Sequence, residues 1–456
     1  MENLRKQNPI NPLTEVLKTL CETVPPGSSL CVGVSGGLDS MVLLHALIPL
    51  SAQFPFRLCA VHINHQLHPE AAQWQQLVED ACAAWKIPCS THRVSVDRKD
   101  PDGLEAAARR ARYAVFGAMD ADFIVLAHHQ DDQAETLLTH LLRGAGLPGL
   151  SAMPTDRPFA VFQARPQLLR PLLNCSRKAL TAYAQNQGLR WVDDSSNQDV
   201  AHVRNYLRHA LSPVLDLRFP AWRATLARSA HHFADAQTLL NERAEEDFSA
   251  CGQTEGLRVA DVLTLGPPRA ANLLRWWLKG QGAPACHSEQ LAQWLMQSAA
   301  PADRMPELAW GGWTLNRFEG LWQLRRSLDK HWTPLELECW PTQDLIIPQA
   351  GVLHQKAVHG QGVLQTVLQE GNIRVQRRQG GERLRPHADR PSRSLRNLLQ
   401  EAHLPPWYRA ALPLVFKGDT LICVPGVAVD VAFQAGSGEA GLELYWQPPQ
   451  GPSPQA

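Results

Sequence analysis

The chain has 456 residues, 44 basic and 44 acidic side chains, a 44% apolar share and ten cysteines. That length exceeds what one core usually organises, so two or three domains are expected, and the apolar share excludes wholesale disorder. The charge balance excludes a global positive field as the means of attracting nucleic acid; any such binding must use local patches.

The cysteines stand singly, with no CxxC pair, which argues against a zinc ribbon or a paired redox motif. In a chain this long they read as reduced thiols of a cytosolic protein. The opening MENLRKQNPINPLTEVLKTL is too polar for a secretory signal, and no stretch approaches the ~20 apolar residues of a membrane helix. The expectation is a cytoplasmic protein with no membrane contact and no protein partner implied.

In chain order, apolar runs at Leu30–Val34, Leu58–Ile63, His92–Val96 and Phe123–Ala127 read as strands. Met41–Leu50, Glu70–Trp85 and Leu104–Met119 between them have helical periodicity. Strand–helix alternation predicts an α/β domain with a parallel sheet, whose ligands bind outside the carboxyl ends of the strands. From Arg218 to Gln297 the chain is rich in Ala, Leu, Arg and Trp and reads as helical. A Trp- and Pro-rich stretch with some strands runs on through Pro348, and Gly371–Val431 suggests a small α+β domain. The expected boundaries are 1–216, 217–345 and 346–446, with 447–456 a disordered tail lacking any apolar anchor.

Three clusters carry chemistry. In Cys31-Val-Gly-Val-Ser-Gly-Gly-Leu-Asp-Ser40 a strand runs into a glycine turn and then a helix. Gly36 and Gly37 let the backbone N–H groups curl inward, Ser35 and Ser40 add hydroxyls, and the helix presents its positive end to polyphosphate. The Gly-Lys-Ser/Thr ending of a Walker A loop is missing. Asp39 beside triphosphate needs an intervening cation and so reads as a Mg²⁺ ligand; its alternative is a helix-stabilising N-terminal charge.

The second cluster is Ala127-His-His-Gln-Asp-Asp-Gln-Ala-Glu-Thr136. Taken as helix from Asp131, it puts Asp132, Glu135, Thr136 and Thr139 on one face, with Ala134, Leu137, Leu138 and Leu141 opposite. His128, His129, Asp131 and Asp132 together exceed what helix capping needs, which favours function. In the third cluster, Gly103–Tyr113, helical spacing aligns Glu105, Arg109 and Arg112. That pattern suits either a solvated ion-pair face or the neutralisation of phosphate charge.

SGGLDS resembles the PP-loop of ATP pyrophosphatases, and with the other clusters in order the chain resembles the tRNA(Ile)-lysidine synthetase family. VHINHQL at Val61–Leu67 is similar to that family's VHxxHGL, with Gln66 where glycine is usual. RGAGLPGLSAM at Arg143–Met153, RPLL at Arg170–Leu173, DDSSN at Asp193–Asn197 and RNYLR at Arg204–Arg208 match its later elements. GERLRP at Gly381–Pro386 and the run Pro405–Asp430 resemble its C-terminal domain.

The resemblance implies an adenine nucleotide α-hydrolase-like PP-loop domain, then a helical domain and a small α+β domain. It implies ligation of L-lysine to C2 of the wobble cytidine in tRNA(Ile) with a CAU anticodon, using ATP and Mg²⁺. Ser35, Gly36, Gly37, Leu38, Asp39 and Ser40 would bind ATP. His129, Asp132 and Glu135 would hold lysine and accept its protons, and Arg109, Arg112 and Arg204 would meet phosphate or carboxylate. For tRNA, eight arginines between Gly371 and Gln400 face only Glu382 and Asp389. Arg377, Arg378, Arg383, Arg385, Arg393 and Arg396 are the chosen phosphate contacts. A PP-loop tRNA thiolase would want paired cysteines, an amidotransferase an ammonia-generating domain, and a non-catalytic RNA binder a degenerate loop.

Overall fold

The computed structural model describes residues 12–160, 163–194, 203–299, 305–327 and 332–449. The chain divides into two compact units, Met1–Glu242 and Arg243–Ala456.

The first unit is built on six strands: β1 (Ser29–Gly33), β2 (Arg57–Asn64), β3 (Cys89–Arg93), β4 (Phe123–Val125), β5 (Asp156–Ala160) and β6 (Gln163–Leu169). Their order is β3-β2-β1-β4-β6-β5, parallel except for the antiparallel edge pair β5/β6. The third strand lies three residues earlier than the sequence suggests; the preceding helix ends at Trp85 as expected, and the left-handed Lys86 (φ 57°) turns the chain into the strand at once. The β5/β6 hairpin has no counterpart in the sequence reading.

The helices are α1 (Pro12–Thr23), α2 (Leu38–Ser51), α3 (Ala71–Trp85), α4 (Leu104–Gly117), α5 (Gln130–Leu142), α6 (Leu147–Leu150) and α7 (Arg177–Asn186). Strand alternation sorts β1 between the two faces of the sheet. Leu30, Val32 and Val34 join the core formed with α1, α2 and α7, whereas Cys31 joins Phe116 of α4 on the other face. Gly33 is glycine for a reason: a Cβ there would stand 2.7 Å from Leu126 and 3.0 Å from Phe116. α2 is buried nearly all round, as a helix sandwiched between sheet and other helices must be.

The sheet order reverses between β1 and β4, so the loops leaving these two strands open a crevice at their carboxyl ends. SGGLDS follows β1 and the His-His-Gln-Asp-Asp run follows β4. Beyond residue 202 come α8 (Val203–Tyr206), a π-helical turn (Leu207–Leu211), α9 (Ser212–Arg218) and the long α10 (Trp222–Cys251), which crosses the boundary between the units. The end of the DDSSN run, at 195–197, lies outside the described residues.

In the second unit, helices Val259–Thr264, Pro267–Gly280 and Ser288–Ser298 pack on a five-stranded sheet, with Trp277, Trp294 and Trp322 in the core. These tryptophans are core residues, as the sequence reading favours. A further pair of antiparallel sheets, of five and four strands, occupies 335–447 around Trp332, Trp340 and Leu353. Gln447 closes the last strand, and residues 450–456, most of the expected tail, lie outside the described residues.

At the amino end of the sheet Asp122 ties β4 to β1, accepting from the Ser29 amide (2.9 Å) and hydroxyl (3.0 Å). Asp122→Ala leaves that amide without its side-chain acceptor; urea unfolding should show the variant less stable by about 1–3 kcal/mol.

Candidate active site

The SGGLDS turn is held by its own hydroxyls. Ser40 Oγ accepts from the Ser35 amide (3.1 Å) and donates to the Gly37 carbonyl (3.0 Å), while Ser35 Oγ accepts from the Gly37 amide (3.3 Å). Gly36 has φ +91°, and a Cβ there would press 3.4 Å from Val78, so both the turn and the close helix favour glycine. Leu38 and Asp39 begin α2 and leave its N-terminus facing the crevice.

The β4 loop answers with His129, whose side chain is 3% exposed. Its Nε2 lies 3.6 Å from Asp39 and 3.5 Å from Asp132, and its backbone amide donates to Asp132 (3.0 Å). Burial opposes charge on this imidazole, but Asp39, Asp132 and Asp131 outweigh it and raise the pKa. His128 behaves oppositely: burial, with Arg170, Arg112 and Arg109 nearby, pushes it down to about 3 against the pull of Asp132. The adjacent histidines are thus pushed in opposite directions, His129 toward and His128 away from the protonated form.

Glu135 and Asp132 share one partner that sequence reasoning missed. Arg208 donates through Nε (2.5 Å) and Nη2 (2.9 Å) to the two oxygens of Glu135, and through Nη2 to Asp132 (3.0 Å). Burial raises Glu135 and Arg208 only partly offsets it; Asp132 is lowered, because His129, His128 and Arg208 overcome its desolvation. The RNYLR run contains this residue, but the resemblance is carried to Arg204, which is exposed. The π-helical turn beginning at Leu207 changes the facing of the residues around it.

Other expectations sort as follows. Asp131 accepts from Arg223 Nε (2.8 Å) and the Arg177 amide (3.0 Å), a structural tie between α7 and α10. Leu141 is 45% exposed, which corrects its place on the buried face of α5; the helix outruns the sheet there. Gln133 bonds both ways with the Met153 backbone (2.8 Å each), fixing the glycine-rich loop. Arg109 is exposed and donates to Tyr113 (3.0 Å) under a stacked ring, while Arg110 pairs with Asp100 and Asp102. Arg112 is half-buried, its buried Nε has no hydrogen-bond partner, and burial with Arg109 and Arg204 lowers its pKa. Asp39 Oδ1 and Thr136 Oγ1 are likewise buried without a partner.

Gln66 adopts φ 56°, a left-handed conformation that favours glycine, and is held there by bonds to Asn64 and Val94. This accounts for the glycine usual in the resembling motif. Thiols the sequence scatters do meet in space, with Cys31 beside Cys59 and Cys82 beside Cys89, all of them free. Cys31 and Cys59 are register partners in the middle of the sheet, away from the crevice.

Among the chosen arginines of the second unit, Arg383 is tied to Ser392, Arg385 to the carbonyls of Arg390 and Ala388, Arg393 to Glu401 and Arg378 to Glu382. Arg396 is exposed. Arg377 and Arg378 line a cavity of about 640 Å³ together with Gly380, Pro406 and Arg409.

Residues 10–215 match the PP-loop domain family, 257–326 the TilS substrate binding domain and 373–446 the TilS substrate C-terminal domain. A tRNA(Ile)-lysidine synthase of Nitrosomonas europaea is 38% identical over 94% of this chain and 93% of its own. One of Coxiella burnetii is 36% identical over 96% and 97%. The chain belongs to the tRNA(Ile)-lysidine synthase family. Among solved structures, the U34-tRNA thiolase NcsA from Methanococcus maripaludis overlays at a TM-score of 0.42. It is 14% identical, over 49% of this chain and 78% of its own, too loose an overlay to carry argument. No helix among the described residues is long and apolar enough to cross a membrane.

Within the family site, Asp131 and Asp132 are adjacent in sequence but do different work. Asp131→Ala should cost about 1–3 kcal/mol in urea unfolding by leaving the Arg177 amide without this acceptor and Arg223 with Asp216 alone, while the Asp132–Arg208 contact persists.

Proposed function

We propose that this enzyme ligates L-lysine to C2 of the wobble cytidine in tRNA(Ile) with a CAU anticodon, consuming ATP. The C2 oxygen attacks the α-phosphorus and pyrophosphate leaves; the lysine ε-amine then attacks C2, and AMP departs with that oxygen. The observation that carries the reading is one crevice bearing a phosphate-type glycine turn on one wall and Asp132, Glu135 and His129 on the other.

The residues fit the two reactants. Ser35, Gly36, Gly37, Leu38 and Ser40 offer amides, hydroxyls and a helix N-terminus to the phosphates. Asp39 Oδ1, buried and unpartnered, supplies the single hard oxygen that Mg²⁺ takes from a protein when phosphates complete its shell. Bound there, Mg²⁺ would neutralise charge on the departing pyrophosphate. His129, between Asp39 and Asp132, links the phosphate and amine walls. Glu135, raised by burial, is the better placed acceptor for the proton the amine must shed before it attacks. Arg112, half-buried with its Nε unpaired, is suited to the substrate carboxylate or a phosphate, with exposed Arg109 and Arg204 adding positive charge nearby.

The family reading also gives the arginines of 371–400 a substrate in tRNA. We assign Arg377, Arg378 and Arg396 to phosphate contact, and Arg383, Arg385 and Arg393 to holding their own loop through the bonds above. Arg377→Ala or Arg396→Ala should weaken tRNA binding and reduce the slope of log affinity against log salt by about 1 each. Arg385→Ala should instead lower the thermal midpoint.

The deciding assay is incorporation of labelled L-lysine into tRNA(Ile) and, in parallel, into methionine tRNA with the same anticodon. Lysine entering only the former is expected; no entry into either refutes the assignment. Pyrophosphate exchange into ATP should require the tRNA, and exchange without it would mean that the base is not what is adenylated. Asp39→Asn should depress that exchange on the order of 10²-fold, the scale for losing one charge-stabilising group at a phosphoryl centre.

A further inference from the structure

The carboxylates suited to the incoming amine are not empty-handed: Arg208 already occupies them. Its guanidinium makes three hydrogen bonds, two to Glu135 and one to Asp132. Glu135 is 5% exposed and Asp132 14%, whereas Arg208 is 27% exposed and is the accessible member of the trio. An ammonium group needs the same acceptors, in the same number, as the guanidinium now fills. Two buried carboxylates this close to Asp39 would repel one another without a cation, so some cation must stand there before substrate arrives.

Arg208 also sits on an unusual support. It lies in the π-helical turn Leu207–Leu211, between the short helix α8 and helix α9. Single π turns place a side chain where an unbroken α-helix would not, and they concentrate at functional positions.

We propose that Arg208 is an internal stand-in for the substrate amine, holding Asp132 and Glu135 ionised and in place until the amine exchanges with it. This rests on the amine-binding role given to those carboxylates above. Arg208 is then a positioning residue that competes with its own substrate. Apparent affinity for the amine is the intrinsic affinity reduced by the fraction of molecules in which the guanidinium has moved aside.

The test is to compare wild type with Arg208→Ala and Arg208→Lys, first confirming folding by circular dichroism. In Arg208→Ala the KM for L-lysine should fall, by up to ~10-fold if the guanidinium holds the site about nine-tenths of the time. Arg208→Lys keeps a cation without the fork, folds where alanine does not, and should show a smaller fall. Millimolar guanidinium chloride, matched against sodium chloride, should raise the thermal midpoint of Arg208→Ala and compete with L-lysine there, yet do neither in wild type. A rise or no change in KM in the folded variants, or no selective effect of guanidinium, overturns the exchange and leaves Arg208 a structural clamp. The guanidinium shift needs no turnover, so it reads Arg208 even if wild type fails to incorporate lysine, which would defeat only the functional reading.

Discussion

Everything in the first unit is arranged around the problem of keeping several carboxylates in one crevice. Asp39, Asp131, Asp132 and Glu135 come from the first turns of α2 and α5 at the carboxyl end of the sheet, and like charges gathered there repel one another. The fold answers with one histidine and two arginines. His129 lies between Asp39 and Asp132, Arg208 spans Asp132 and Glu135, and Arg223 draws Asp131 away toward α10. The charges are neutralised pairwise, but not completely. Asp39 Oδ1 is still unpartnered, and Arg112 is a half-buried cation whose Nε has no acceptor. That residual polarity is what makes the crevice a place for a charged reactant rather than a finished ion-pair network.

The sheet makes this possible because its order reverses between β1 and β4. No strand hairpin crosses the gap, so both loops project freely and can approach. The tie between Asp122 and Ser29 at the opposite end of the same two strands keeps them in register. Packing does the rest: α2 is buried on nearly every side, so the glycine turn that feeds it has little freedom to swing.

Much of this was legible in the sequence, and the reasons differ by residue. The SGGLDS turn is local, and its glycines and serines bond to one another within six residues, so the pattern carries its own geometry. The polar face of α5 follows from helical spacing, which put Asp132 and Glu135 together correctly. Arg208 was not legible, since it lies 73 residues beyond Glu135 in the chain and the π turn beside it leaves no periodic trace. The same helical spacing separated Asp132 from Asp131, since neighbours on a helix point about 100° apart, but the partners of Asp131, Arg223 and the Arg177 amide, lie far along the chain and left no trace. Among the arginines of the second unit, composition gave the charge excess but could not tell which guanidiniums were already bonded to their own loop.

The π turn at Leu207–Leu211 has one more consequence. Such a turn is an α-helix carrying one residue more than its hydrogen-bond ladder needs. Removing any one of those residues would let the ladder close into ordinary helix and rotate everything on one side of it by about 100° relative to the other. Arg208 would then leave Glu135 even with its own identity untouched. This stretch can therefore drift in the identity of its outward residues while its length stays fixed: what it encodes is a count.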